Sequence, residues 1–315
     1  MVTSKGVGLA VPDWPTTFGY NMFLFPVSQW IGGIFFEHTH RLLASAIGLL
    51  TIVLAVWLWR AETRKWLRLL GVLALGAVIL QGVLGGLRVT MLKDEIGIFH
   101  ACLAQAFFGL LVLIAVATSA RWTGAVRQPL CPSLLWLPVA TLALIYFQLG
   151  LGATMRHQHR DLAILDFPAA YGEVIPDVSP ETLTRINAWR ETRALSEVTA
   201  GQIWLQMAHR FGALLIAAGI LTSAFLIYRS RALAPAILIT LSGVWVLLLA
   251  AQIALGAWTI WSNKAADIAT AHVAIGATLF AVGVALVAMV ARSRKTPEVF
   301  GQLERSLRPQ EAHAL

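Results

Sequence analysis

Seven long runs of apolar residues, separated by polar segments, form the main pattern of the chain. Each run reaches the length of about 20 residues that a helix needs to cross a bilayer. Helices are expected because a helix satisfies its backbone hydrogen bonds within its own segment. The predicted spans cover roughly residues 38–59, 67–87, 98–119, 134–154, 203–228, 233–258 and 268–291. The pattern therefore predicts an all-α polytopic membrane protein.

A motif in the polar segment before the first span recurs before the fifth span. Leu9–Gly19 (loop motif 1) and Leu162–Gly172 (loop motif 2) share the pattern L-A-x-x-D-aromatic-P-x-x-aromatic-G. A span that contains a His-Arg pair follows each copy. Such a repeat indicates two structurally similar halves. We expect pseudo-symmetric helical bundles at residues 1–127 and 128–315.

Four histidines stand near the starts of spans that should begin at one membrane face. We expect them in the first turn or so of their helices, at a similar depth. They are His40, His100, His209 and His272. Two facing imidazoles in a helical bundle can bind a haem iron from both axial sides. This favours one couple in each half, His40 with His100 and His209 with His272, although a lone membrane histidine often only bonds to a neighbouring helix.

A Q-x-x-x-G motif lies near the end of three spans that run toward the same face. The glutamines are Gln81, Gln148 and Gln252. Amide side chains beside small residues are typical of contacts between membrane helices. We therefore expect these glutamines to form hydrogen bonds between helices.

The residue three positions before the first histidine differs between the halves. Glu37 stands there in the first half and Gln206 in the second. A carboxylate can act as an acid, a base or an electrostatic stabiliser, whereas an amide cannot titrate. We therefore expect chemistry in the first half and electron transfer in the second. Two alternatives for Glu37 are an ion pair with Arg41 and a zinc or copper site with His40 and His100, which the second half could not match.

Several arginines near the expected histidine depth allow two interpretations. Arg41 and Arg210 could pair with haem propionates, because a guanidinium binds carboxylates in a bidentate manner. They could also extend to the membrane interface. Arg88 and Arg156, near the ends of two other spans, carry the same two interpretations.

The remaining polar residues of interest fall in predicted loops. Asp13 and Asp166, with the prolines that follow, are expected to form turns that fold the loops back over the bundle. His157 and His159 lie in the segment 156–202 and are expected to be solvated loop histidines.

Composition supports the membrane class and sets an orientation. The 315 residues are 58% hydrophobic and 13% charged, with a formal net charge of +8. The positive charge could indicate nucleic acid, but lysines and arginines concentrate in alternate short connections, as in the cytoplasmic loops of membrane proteins. We therefore expect no nucleic acid partner, a cytoplasmic C-terminus, and histidines toward the outer face of the cell inner (plasma) membrane. The two cysteines are not expected to form a bridge.

In these motifs the chain resembles the haem A synthases, and the resemblance covers nearly its whole length. Each matching piece is weak alone, but their order, spacing and topology together are specific. The pieces are Pro12–Gly19, Glu37–Arg41, Gly85–Thr90 followed by Phe99-His100, Ala208–Phe211, and Ala271-His272.

The resemblance implies a fold, a reaction and site roles. It implies eight helices in two four-helix halves, with haem b held by His209 and His272. It implies a substrate site for haem O at His40 and His100, with Glu37 as the catalytic carboxylate. The family oxidises a ring methyl of haem O to a formyl group, giving haem A for terminal oxidases. Candidate partners are haem O, haem O synthase, an unidentified electron-transfer protein, membrane lipid and a second copy of the chain.

Two features depart from the family pattern. Only seven of the family's eight spans are visible, and the first would lie ahead of Asp13, so either the start is truncated or the protein lacks that helix. Cysteine pairs that some members carry in the outer loops are absent. Alternative functions are a di-haem b-type membrane cytochrome for electron transfer and a transporter with repeated halves.

Overall fold

Helices are the only long secondary-structure elements in the part of the chain that the structure describes. The computed structural model describes residues 8–157 and 162–294. Within these ranges, β structure is limited to isolated bridges such as Thr17 with Tyr20. The all-α class predicted from the apolar pattern is confirmed. His159 lies outside the described residues.

Seven of the described helices are long and apolar enough to cross a membrane. The predicted spans coincide with these helices, and two shorter helices, α4 and α6, lie between them. In chain order the helices are α1 (Gly32–Ala61), α2 (Lys65–Met91), α3 (Asp94–Thr118), α4 (Ala120–Thr123), α5 (Ser133–His157), α6 (Pro180–Glu191), α7 (Ala200–Arg229), α8 (Ala236–Trp261) and α9 (Ala266–Ser293).

The helices that carry the four histidines begin earlier than predicted. As a result, the histidines lie about two turns inside their helices, and the expectation of a first-turn position was wrong. Polar residues extend these helices beyond the apolar runs. Thr199 and Gln202 form a capping box at the start of α7. Asp94 and Glu95 occupy the first turn of α3, where the helix dipole favours negative charge.

The long helices form two groups that share an interface. In the second group, α5 contacts α7 and α9, and α8 also contacts α7 and α9, which closes a four-helix bundle. In the first group, α2 contacts both α1 and α3, and α3 also packs against α5 and α9. Consecutive long helices run in opposite directions, so α1, α3, α7 and α9 all begin at one end, here called the histidine end. The division at residues 127 and 128 stays a prediction.

The opposite end, here called the basic end, is tied together by backbone and guanidinium contacts. Gln128 donates its backbone N–H to the carbonyl of Ser293 at 2.7 Å. Arg64 donates to the carbonyl of Ala117 at 2.8 Å. The first bond ties the connection between α4 and α5 to the end of α9, and the second ties the connection between α1 and α2 to the end of α3.

Residues 162–199 pack over the histidine end with a small apolar core of their own. Arg190 is only 5% exposed. Its guanidinium donates to the carbonyl groups of Ser196 at 2.6 Å and Leu162 at 3.3 Å. The apolar residues of this core are Ala163, Ile164, Ala170, Ile186, Val198, Ile203 and Met207. The long segment is therefore an ordered cover with its own helix, α6.

The contact between α3 and α9 depends on a glycine. A Cβ atom at Gly109 would lie 2.8 Å from Cε1 of Phe280 and 3.5 Å from Cγ2 of Val284. Phe280 is itself buried. A side chain at Gly109 would therefore push the two groups of helices apart.

We expect Gly109→Ala to lower the thermal stability of the purified protein. Overpacking of this kind costs about 1–3 kcal/mol. Gly76 in α2 offers a matched control, because nothing lies within 4 Å of a Cβ atom there. Gly76→Ala should leave stability unchanged or raise it by about 0.5–1 kcal/mol through helix propensity. Thermal melts followed by circular dichroism in one detergent compare the two variants. Equal melting midpoints for Gly109→Ala and Gly76→Ala would contradict this account of the interface.

Candidate functional site

Glu37 is buried in α1 and holds loop motif 1 against the helix. The residue is only 4% exposed. Its Oε2 accepts a hydrogen bond from the backbone N–H of Val11 at 3.0 Å. Its Oε1 forms an ion pair with Arg41 at 2.9 Å, and Arg41 also donates to the carbonyl of Val11 at 3.0 Å. The ion pair considered as an alternative is present, and a catalytic role for Glu37 stays a prediction.

Gln206 makes the equivalent contact with loop motif 2. Its Oε1 accepts from the backbone N–H of Ile164 at 2.8 Å, and its Nε2 donates to the carbonyl of Ile164 at 3.1 Å. Val11 and Ile164 occupy the same position of the repeated motif. One amide therefore does what the carboxylate and the guanidinium do together in the first half. Glu37 and Gln206 share a structural task that the sequence comparison did not reveal.

The two arginines bind carbonyl groups of the same loops. Arg41 donates to the carbonyl groups of Asp13 at 2.7 Å and Thr16 at 3.0 Å. The matching acceptors of Arg210 are the carbonyl groups of Asp166 at 2.6 Å and Ala169 at 2.7 Å. Each guanidinium thus fixes its loop to the helix below. Contact of Arg41 or Arg210 with haem propionates stays a prediction.

The aspartates of the loop motifs form the expected turns. Asp13 accepts hydrogen bonds from the backbone N–H groups of Phe18 at 2.8 Å and Gly19 at 2.9 Å. Asp166 does the same for the residues at the matching positions, Tyr171 and Gly172. Burial works against the charge of Asp13, but hydrogen bonds from Gly19, Thr16 and Phe18 together hold its pKa below the ordinary value. The prediction of paired turns is confirmed.

Three of the four histidine rings lie beside a glycine of a neighbouring helix. A Cβ atom at each glycine would meet Cε1 of the ring at close range. The distances from the Cβ position to Cε1 are 3.3 Å for Gly85 and His100, 3.5 Å for Gly152 and His209, and 3.1 Å for Gly256 and His272. The glycine of the Q-x-x-x-G motif therefore leaves the space that the imidazole occupies.

The glutamines of the same motif hold the histidine-bearing helices. Gln81 donates to the carbonyl of His100 at 3.0 Å, and Gln148 donates to the carbonyl of His209 at 2.6 Å. The Nε2 atom of Gln252 lies 3.3 Å from Nε2 of His272. The predicted bonds between helices are confirmed, and one motif both positions the histidine backbone and accommodates the ring.

The histidines fit a haem bound between two imidazoles. The Nδ1 atoms of His100, His209 and His272 are buried and have no hydrogen-bond partner among the described residues. Steric contacts therefore help to hold these rings, and the Nε2 atom of His272 also lies within hydrogen-bond distance of Gln252. Within each half the two histidines lie about two turns inside helices that begin at the histidine end, His40 and His100 in the first half and His209 and His272 in the second. Two imidazoles at one level of a helical bundle are the usual arrangement for axial ligation.

A zinc or copper site receives no support from the geometry. Across residues 8–157 and 162–294, no three His, Cys, Asp or Glu side chains are grouped closely enough to hold a metal ion. Glu37 points to Val11 and Arg41, as described above. His38 also points away from the couple, toward Thr17, with its Nδ1 3.3 Å from Oγ1 of that residue.

The two couples differ in exposure. His40 is exposed in the described structure, whereas His100, His209 and His272 are half-buried. His40 is therefore the most exposed of the four imidazoles. The second couple lies on two helices of the four-helix bundle, α7 and α9.

His157 is buried at the end of α5, so the prediction of a solvated loop histidine was wrong. The residue is 7% exposed. Its Nδ1 would lie 2.7 Å from a Cβ atom at Gly97, and Nε of Arg88 would lie 3.0 Å from the same point. The prediction failed because α5 continues beyond the predicted span and Gly97 leaves room for the ring. The sequence signal that could have indicated this burial is Gly97, three residues before His100. The second half has Ala269 at the matching position.

Comparison with known proteins identifies a family. Residues 1–284 match a family model described as cytochrome oxidase assembly protein, COX15-CtaA. A heme A synthase of Shouchella clausii is 29% identical over 192 residues, which cover 58% of this chain and 61% of the relative. A heme A synthase of Halalkalibacterium halodurans is 30% identical over 188 residues, covering 56% of this chain and 59% of the relative.

A third relative extends the similarity over most of the chain. A heme A synthase of Geobacillus kaustophilus is 24% identical over 312 residues, covering 94% of this chain and 87% of the relative. The matches to the first two relatives span about three fifths of their lengths, 61% and 59%. The family model itself covers residues 1–284. Because that match includes most of the chain, the protein belongs to the COX15-CtaA family of cytochrome oxidase assembly proteins.

Proposed function

We propose that this protein is a haem A synthase, which oxidises a ring methyl of haem O to a formyl group. The observation that carries the proposal is the asymmetry of two otherwise similar sites. Both halves place a histidine couple at the histidine end, but only the first half adds a buried carboxylate, Glu37, and an exposed histidine, His40. Family membership and the names of the relatives support this function.

The second half is the proposed site of haem b. His209 and His272 would hold the iron, and the nearby position of Gln206 offers no titratable group. Haem b, when bound, supplies one-electron redox chemistry. The protein contributes rigidity, because Gln148 binds the backbone of His209 and Gly256 lies against the ring of His272. The four helices around this couple would limit the access of water to a bound haem.

The first half is the proposed site of the substrate, haem O, between His40 and His100. Exposure of His40 allows a porphyrin to enter and leave on the α1 side. Glu37 lies one turn before His40 on the same helix face. Each of its oxygens keeps a lone pair after bonding to Val11 or Arg41, so the carboxylate can accept a further hydrogen bond or proton. Its proposed role is to take up protons as the methyl group is oxidised.

The proposal includes an orientation and partners. The basic end faces the cytoplasm and the histidine end faces outward, because the cationic residues of the short connections cluster at the basic end. Those residues are Arg60, Arg64, Lys65, Arg68, Arg121, Arg127, Arg229, Arg231, Arg292 and Arg294. Haem O synthase is the candidate supplier of substrate, and an electron-transfer protein would exchange electrons with haem b. A second copy of the chain stays a candidate partner.

Replacing histidines should remove different pigments from the two halves. We expect His209→Ala to abolish the haem b that copurifies, because one axial ligand is lost. We expect His40→Ala to keep haem b and to lose affinity for haem O. Extraction of the pigments followed by chromatography measures both. Loss of the same pigment from both variants would contradict the division of roles.

Two substitutions of Glu37 separate its catalytic role from its structural role. Gln206 shows that an amide can hold a loop motif, so Glu37→Gln should keep loop motif 1 anchored. Glu37→Ala leaves Arg41 without its buried partner, which should cost about 3–5 kcal/mol of stability. Both variants should form haem A at least about 100-fold more slowly, because neither glutamine nor alanine can accept a proton at this position. Rates of haem A formation and melting midpoints measure the two effects.

The rate of haem A formation and the melting midpoint together distinguish a loop anchor from a catalytic residue. If Glu37→Gln forms haem A at the wild-type rate, Glu37 is only a loop anchor. If the wild-type protein binds both haems but forms no haem A, the di-haem cytochrome is the better description.

A further inference from the structure

The guanidinium of Arg88 has no bound partner within the described part of the chain. Arg88 stands in the last turn of α2, at the histidine end, and is half-buried. The guanidiniums of Arg41 and Arg210 donate hydrogen bonds to loop carbonyl groups. Arg88 makes no hydrogen bond and no ion pair within 4 Å to any residue in 8–157 or 162–294. Its donors are therefore available to an anionic ligand.

Two glycines flank this guanidinium and leave it little room to move. A Cβ atom at Gly8 would lie 3.2 Å from Nη2 and 3.3 Å from Nη1 of Arg88. A Cβ atom at Gly97 would lie 3.0 Å from its Nε and 2.7 Å from Nδ1 of His157. Backbone from two segments and the His157 ring therefore surround the Arg88 side chain. Such a setting lowers the entropy that the side chain would lose on binding.

Arg88 lies beside the helix that carries His100. It stands one turn after Gly85 on α2, and a Cβ atom at Gly85 would lie 3.3 Å from Cε1 of His100. Gly97, which lies against Nε of Arg88, is three residues before His100 on α3. The guanidinium therefore lies between the first site and the histidine end of the bundle.

The aligned positions of the second half carry neither an arginine nor a glycine. Alignment of the Q-x-x-x-G motifs of α2 and α8 places Thr259 of α8 where α2 has Arg88. Alignment on the histidines places Ala269 of α9 where α3 has Gly97. The second half has its own arginine at this end, Arg156, one residue before the His157 that lies against Gly97.

We propose that Arg88 binds a carboxylate of the porphyrin held between His40 and His100. This inference rests on the proposed function, because haem O carries propionate carboxylates on one edge of its ring. A guanidinium can bind a carboxylate through two parallel hydrogen bonds, which fixes orientation as well as position. Arg88 would thereby select which edge of the substrate lies toward the end of α2. The phosphate of a lipid headgroup is a second source of anionic oxygens at this end of the bundle.

Binding of haem O and of its dimethyl ester distinguishes these sources. The full-length protein with haem b in place is titrated with each porphyrin in a phospholipid-containing detergent micelle, and the Soret difference spectrum reports binding. The wild type should bind the free acid about tenfold more tightly than the ester, because only the acid offers a charged acceptor. Equal affinities for acid and ester would overturn the proposal and favour a lipid contact.

Variants provide an independent arm of the test. Arg88→Gln should weaken binding of the free acid about tenfold and leave binding of the ester unchanged. Arg231→Gln is a matched control at the basic end, where the guanidinium contacts Tyr228 and not the site. Equal weakening for acid and ester in Arg88→Gln would indicate a purely structural role and would overturn the proposal.

Failure of this inference can be told apart from failure of the proposed function. A wild type that forms haem A while Arg88→Gln binds haem O normally contradicts only the role of Arg88. A wild type that binds no haem beyond haem b contradicts both proposals.

Discussion

The close approach of a glycine on one helix to an imidazole on the next is the contact on which both halves depend. At Gly85, Gly152 and Gly256, a side chain would meet the ring of the neighbouring histidine. The glutamine one turn earlier binds the backbone of the same histidine-bearing helix in two of the three cases. Sterics and a glutamine hydrogen bond thus set where each ring lies, and the Nδ1 atoms of these three rings have no partner among the described residues. The repeated motif explains why two halves of different sequence build similar sites.

The loops above these sites are held by matching contacts in the two halves. In each half an arginine binds loop carbonyls, an aspartate closes the turn, and a buried acidic or amide side chain holds one loop residue. The first half uses Glu37 with Arg41, and the second uses Gln206 alone. The carboxylate of Glu37 and the amide of Gln206 therefore share one structural task. The difference between the halves is chemical, since the backbone contacts are the same.

Sequence patterns were sufficient for the features that repeat and insufficient for contacts between distant segments. Apolar runs predicted all seven long helices, because hydrocarbon thickness fixes their length. The turns at Asp13 and Asp166 followed from local chemistry. Burial of His157 was missed, because it depends on Gly97 in another helix and on the continuation of α5. The anchoring of Val11 by Glu37 was missed for the same reason, since backbone N–H groups leave no mark in side-chain patterns.

The central claim is that two couples of imidazoles at one end of the bundle each bind a haem. Low-temperature electron paramagnetic resonance of the purified, oxidised protein, loaded with haem b and haem O, tests it most directly. The account predicts low-spin ferric signals typical of two axial imidazoles, with one signal for each site. A preparation that takes up no haem, or that shows only high-spin iron with a single axial ligand, would contradict it.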